Sequence, residues 1–289
     1  MTMVVDYKKG LIGAPADTGR GPSPSIWADW DSSEAKRNPS YGIEIFDDFL
    51  MGGVCSTLGY AGGWRMFSST TFPFTYTAEP AGVLTATTAA TADLAAVIAS
   101  PSAPFRVTGS PSTSGKLMFE ARFRALNLTT GLNAILLGLA ETGAAVLTPT
   151  ATVPLPADST GWAISNTSCF LGFHHQEADG VYTFRTGYSD RATSTTAVAD
   201  TEAVVGGGTA ATANNVWVKL GMVYDPRGYG VTFYVNGNPL PTRLANATIA
   251  GLTTFDTVGL GLLFAAHTGA TPTANDTFSL DWIRCAQFS

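Results

Sequence analysis

The sequence is short of charge. Asp, Glu, Lys and Arg make up 13% of its 289 residues, about half of the ~25% usual in a globular chain. Acidic residues outnumber basic ones 22 to 16, the formal net charge is −6, and no Lys/Arg stripe occurs. This excludes the electrostatic footprint of a nucleic-acid binder and the polybasic patch of a membrane-surface protein. No apolar run reaches the ~18 residues of a bilayer-spanning helix. Cysteine is scarce as well: Cys55, Cys169 and Cys285 are odd in number and widely spaced, with no CxxC pair. Neither a zinc site nor a disulfide framework follows from that spacing, and no cofactor or metal is expected. Met1 to Gly13 show no signal-peptide pattern, so the expectation is a chain made in a reducing cytoplasm with free, mostly buried thiols. The sequons at Asn127, Asn166, Asn246 and Asn275 read as chance matches in a Thr-rich chain.

Thr, Ser, Ala and Gly fill the gap left by charge, while hydrophobic residues make up 45%. That is enough apolar material for a sizeable core. The surface is neutral and rich in hydroxyls, which suits a subunit that packs against copies of itself.

Composition divides the chain in two. Residues 1–40 hold Gly10, Gly13, Pro15, Gly19, Gly21, Pro22, Pro24 and Pro39 and read as an extended N-terminal arm. A short helical signal inside it starts at Ser25 and spaces Trp27 and Trp30 at i, i+3. Two readings of the arm are open: a hydrophobic clip onto its own domain, or an assembly arm that docks on a neighbouring subunit. The second is favoured by cost. Ordering a backbone takes about 1–2 kcal/mol per residue, and two buried tryptophans return only about 4–6 kcal/mol each. The expected contacts of this arm are Ile26, Trp27, Trp30 and Tyr41.

Residues 41–289 read as strands and turns, an all-β antiparallel sandwich. Leu117, Phe119, Ala121, Phe123 and Ala125 alternate with Lys116, Glu120, Arg122 and Arg124, the pattern of a strand with one wet face. Leu132 to Ala140 is continuously apolar and reads as buried on both faces. Cys169–His175 and Gly180–Tyr188 form a hairpin pattern, as do Trp217–Tyr224 and Gly230–Val235 around the turn Asp225-Pro226-Arg227-Gly228. Ala89 to Ile98 fits either a helix or a strand.

Three stretches resemble the concanavalin A-like lectin/glucanase superfamily. They are the hairpin from Trp217 to Asn236-Gly237, the last strand Phe278-Ser-Leu-Asp-Trp-Ile-Arg-Cys, and Phe46-Asp-Asp-Phe followed by Gly63-Trp64. The resemblance covers roughly residues 41–289 and implies a jelly roll whose first and last strands, Phe46–Leu50 and Leu280–Cys285, are neighbours. The fold serves enzymes, lectins and shell proteins alike. With an unsecreted start and a Gly/Pro arm, the chain also resembles structural proteins of tailed-bacteriophage virions.

The superfamily's glycosidases carry Glu-x-Asp-x-x-Glu on one strand, and no such string occurs. Glu120, flanked by Arg122 and Arg124, reads as a paired surface charge. Glu44 and Asp48 would stand about 13 Å apart on a strand, too far to act across one glycosidic bond. His174-His175 cannot share an ion, because adjacent strand residues face opposite ways. One histidine is expected inside and one at the surface. Cys55 is only a weak candidate nucleophile, and Gly206-Gly207-Gly208 lacks the Lys-Ser/Thr of a phosphate loop. Trp162, Tyr182 and Tyr188 are the candidate glycan platform, with Tyr229 and Tyr234 behind them. The expectation is a non-enzymatic virion structural protein, a capsid decoration or cement subunit located in the virion. Its partners would be capsid-shell subunits and copies of itself, with no nucleic acid and no membrane. The alternatives are a carbohydrate- or receptor-binding module of a head or tail fibre, with a surface glycan as partner, and a laminarinase-like glycoside hydrolase.

Overall fold

Leu117, Phe119, Ala121, Phe123 and Ala125 alternate along β7 (Leu117–Leu126), and all five point into one apolar core. The computed structural model describes residues 19–50, 59–61, 63–68, 74–77, 82–87, 95–109, 114–126, 132–141, 169–176, 183–189, 198–204, 216–252, 254–268 and 277–289.

Two antiparallel sheets enclose that core. The first runs in the order β14 (Asn238–Leu244), β13 (Gly230–Val235), β12 (Val218–Asp225), β7, β16 (Thr277–Phe288), β5 (Val83–Thr87), β4 (Phe74–Thr77). An eighth strand, β1 (Gly42–Asp47), also pairs with β16. The second sheet runs β11 (Val198–Val204), β10 (Thr183–Ser189), β9 (Phe170–Gln176), β8 (Leu132–Ala140), β15 (Gly261–Thr268), β6 (Ala95–Ala99), β3 (Trp64–Ser68), β2 (Gly59–Ala61). Inward rows from both sheets meet in the middle: Phe119, Phe123, Leu220, Met222 and Ile283 from one, Ile135, Leu137, Phe173, Phe264 and Ile98 from the other.

Strand β16 is the spine of the first sheet. Along one edge it pairs with β7 over nearly its whole length. Along the other, Thr277–Leu280 pair with β5 and Ile283–Phe288 pair with β1. The register against β7 slips between Leu280 and Trp282, leaving Asp281 as an extra residue in a bulge. The first and last strands are therefore neighbours, as the resemblance implied, but the first lies earlier in sequence than expected. It stops at Asp47 because the Asp47 carboxylate accepts the Phe49 N–H at 2.7 Å and Phe49 takes a left-handed φ of 53°.

Other expectations resolve here too. Residues Ala95–Ala99 form a strand, not a helix. Residues 135–140 of that run are buried on both faces: Ile135, Leu137 and Leu139 face the core, and Leu136 and Ala140 join a second apolar cluster. Cys169 and Cys285 are buried in the core and neither is in a disulfide; burial pushes the Cys285 thiol well above its ordinary range. Cys55 and the Gly206–Gly208 run lie outside the described residues.

Gly82 holds the start of β5 against the end of β1. Its φ is +71°, and an added Cβ would stand 2.6 Å from the Asp48 and Phe49 carbonyl oxygens. Gly82→Ala should lower the unfolding free energy by about 1–3 kcal/mol. Thermal or urea unfolding measures this, and an unchanged midpoint would contradict it.

Candidate functional site

The outer face of the first sheet carries three rows of side chains across β12, β7 and β16. Register places Val223, Met118 and Ala286 in one row, Gly221, Glu120 and Arg284 in the next, and Lys219, Arg122 and Trp282 in the third. Sequence reading makes this the wet face. It is instead buried: Glu120 is 0% exposed, Lys219 1% and Asp281 1%.

The cover is residues 20–41 of the same chain. They are not an extended arm. They form two short helices, α1 (Pro24–Trp27) and α2 (Ser32–Arg37). Pro24 opens α1, where its missing N–H costs nothing. Asp31 caps α2 by accepting the N–H groups of Ser33 and Glu34; the Ser33 hydroxyl, donating to the same carboxylate, and these two N–H groups hold it below the usual range. Ile26, Trp27 and Trp30 are buried on the apolar row of Met118, Val223 and Ala286, with Tyr41 packed beside them. Gly221 makes room, since a Cβ there would stand 2.4 Å from the Ile26 Cδ1. The Trp30, Tyr41 and Phe288 rings meet mutually at 5.0–5.3 Å between centroids.

Polar contacts fix this clip in register. Glu120 Oε2 accepts the Ser23 N–H at 2.9 Å and the Trp27 indole N–H at 2.8 Å. Lys219 Nζ donates to the Gly21 carbonyl at 3.0 Å, and the Trp282 indole donates to the Arg20 carbonyl at 2.5 Å. Asp281, pushed out by its bulge, takes the Arg20 guanidinium at 2.5 Å and also pairs with Arg122. Glu44 accepts from the Trp30 indole at 3.0 Å and from Arg284 at 2.8 Å, while the Arg284 guanidinium lies 4.0 Å from the centroid of the Trp27 ring. Arg122 and Arg124 both stack on Trp217 at 4.5 Å.

This corrects two expectations. Glu120 is not a paired surface charge but a buried carboxylate whose donors come from the clip. Burial raises its pKa, opposed by the Ser23 and Trp27 hydrogen bonds and the Lys219 charge. The arm contacts Ile26, Trp27, Trp30 and Tyr41 lie on the chain's own sheet, not on a neighbour. Apolar burial is not the segment's only hold: indole and backbone N–H groups bonded to fixed carboxylates add to it. The three carboxylates Glu44, Glu120 and Asp281 are each held by donors beneath the clip, an arrangement that fixes a segment in place.

The outer face of the second sheet is closed too. Leu136, Phe170, Leu263, Ala265, Val97 and Ala99 form an apolar cluster there, each no more than 2% exposed. His174 shares that face with Leu136, its partner in register, and His175 turns inward to Phe184 at 5.5 Å. They do face opposite ways, yet both are buried, as is His267. The histidine expected at the surface is covered because its whole face is covered. Among the described residues no group of three His, Cys, Asp or Glu side chains could hold a metal ion.

Of the candidate glycan platform, Tyr188 alone lies among the described residues. Tyr188 pairs with Leu171 and is half-buried against the core, so it faces inward. Trp162 and Tyr182 lie outside the described residues. Tyr234 packs under the clip, and Tyr229 is 75% exposed at the β12–β13 turn with Arg243 5.0 Å from its ring.

No protein-family model matches the chain, and no curated protein sequence matches it. Solved structures do. An endo-1,3-beta-glucanase from Streptomyces sioyaensis superposes with a TM-score of 0.51 at 12% identity, covering 87% of this chain and 98% of that one. Lectin II from Ulex europaeus gives 0.51 at 10% identity over 86% and 99%. A Shewanella oneidensis MR-1 protein of unknown function gives 0.50 at 14% over 90% and 95%. The fold is that of concanavalin A-like lectins and glucanases. At these identities the likeness concerns the sandwich alone.

The clip yields a direct test. Glu120→Gln keeps an acceptor oxygen for Ser23 and Trp27 and removes the buried charge, whereas Glu120→Ala leaves both donors without a partner. The alanine variant should lose about 2–4 kcal/mol, and the glutamine variant much less. A raised carboxyl pKa favours the folded state below about pH 4.5, and that contribution is lost as pH rises through the folded value. The stability of Glu120→Gln relative to the natural chain should therefore increase from pH 4.5 upward. Urea unfolding across that range measures it; a flat difference would place the carboxylate in water.

Proposed function

We propose that this chain is a non-enzymatic structural subunit, a decoration or cement protein on the shell of a bacteriophage virion. The observation that carries the reading is the sealing of the Glu120 face by residues 20–41. A hydrolase needs carboxylates bordering an open cleft. Here the carboxylate-bearing face is filled by the chain's own tryptophans, and the opposite outer face is apolar and buried. Contacts then fall to strand edges and turns, the parts a tiling subunit presents. The low charge and hydroxyl-rich composition favour packing among copies.

A second reading, a surface-glycan-binding module of a head or tail fibre, is favoured by the exposed Tyr229 with its stacked Arg243. That pair has the flat apolar face and the donors on which sugars stack.

Mass spectrometry of purified particles should find the chain at many copies each, and β-1,3-glucan should release no reducing sugar when incubated with it. Absence from the particle, or glucan cleavage that disappears in Glu120→Gln, would overturn the structural reading. Loss of glycan-array binding in Tyr229→Ala would replace it with the second.

A further inference from the structure

Among the described residues β1 pairs on one edge only, with β16. The exposed large hydrophobics concentrate there: Ile43 is 45% exposed, Phe46 51% and Leu50 60%. A cleft of about 320 Å3 lies between Phe46 and Ser100–Ser102, and another of about 170 Å3 between Ile43 and Pro104–Arg106. Both clefts border β1, the first toward its end and the second toward its start. At one end of the first sheet β14 carries Pro239 and Pro241, which cannot donate to an incoming strand. Strand β1 has no proline and no lysine.

We infer that the free edge of β1 is an acceptor site for a strand, and that its occupant is residues 2–9 of a second copy of this chain. The segment is Thr2-Met3-Val4-Val5-Asp6-Tyr7-Lys8-Lys9, rich in β-prone apolar residues and ending in two cations. Asp47 and Asp48 stand at the end of β1. Parallel addition puts Lys8 and Lys9 beside them and Met3, Val4 and Val5 along Ile43 and Phe46. The anchor point agrees. Arg20 is held by Asp281 and Trp282, next to Ile283, the partner of Asp47. Residues 10–18 reach at most about 30 Å from there, enough for an adjacent copy. Ile43 and Phe46 are half exposed, apolar area that a strand from a second copy would cover. Backbone hydrogen bonds supply affinity in this mode of recognition, and side-chain clefts supply selectivity.

The inference does not depend on the virion reading, and its test uses purified protein without particles. The full chain should self-associate in analytical ultracentrifugation, and deletion of residues 1–9 should leave a folded monomer. A labelled peptide of residues 1–9 should bind that deletion variant. Phe46→Lys in the acceptor, or Lys8→Glu with Lys9→Glu in the peptide, should each weaken binding tenfold or more. A monomeric full chain together with a peptide that does not bind would overturn the acceptor site. A monomeric full chain whose deletion variant does bind the peptide would overturn the second copy as donor. Self-association that survives the deletion would place the contact elsewhere.

Discussion

A carboxylate removed from water must find donors or give up its charge, and Glu120 finds them 93 and 97 residues earlier in the chain, at Trp27 and Ser23. Much of the first sheet's outer surface follows from that bond. It brings α1 across β7 and β12, lets Ile26 settle on Gly221, and sets the Trp27 ring under the Arg284 guanidinium. Lys219, Arg122 and Asp281 then become buried charges as well, each with a partner from the clip or the sheet. Breaking such a group from one side costs more than the pair contributes when intact, because the remaining charge stays buried. The clip and the charged face are therefore mutually required.

The strands were legible because period-two alternation reports one fact reliably, which residues face a core. Leu117 to Ala125 and the β12–β13 hairpin are read correctly for that reason. The same alternation misleads on the other face. Glu120, Arg122 and Lys219 obey the polar half of the pattern whether water or a clip lies above them. Gly221, opposite Glu120 in register, is the signal that could have warned of a close approach. A glycine within a strand often marks the place where another piece of chain lies close. Tyr188, the platform aromatic among the described residues, shows the same ambiguity. Tyr188 has one polar atom and a large ring, and its sequence neighbours do not say which half of that side chain decides its direction.

The second sheet shows the limit of reading faces from apolarity. Leu132 to Ala140 is apolar on both sides, and a strand of this kind belongs in the middle of a covered sheet. Its outer cluster of Leu136, Phe170, Leu263 and Ala265 is consistent with that rule. The rule also explains why both adjacent histidines are buried, although strand geometry sends them opposite ways. With its described outer faces largely buried, the sandwich keeps the layered plan of its lectin and glucanase likenesses.

Strand β16 joins segments that lie far apart in the sequence. It pairs with β1, and its Asp281, Trp282 and Arg284 hold Arg20, Trp27 and Glu44, with Arg20 and Asp281 separated by 261 positions. During synthesis the clip is made long before this strand. The first sheet can close only once β16 has been made, and until then the tryptophans and Glu120 lack their final surroundings. The interval between making the clip and making β16 is therefore the period in which that open sheet is most exposed to wrong partners.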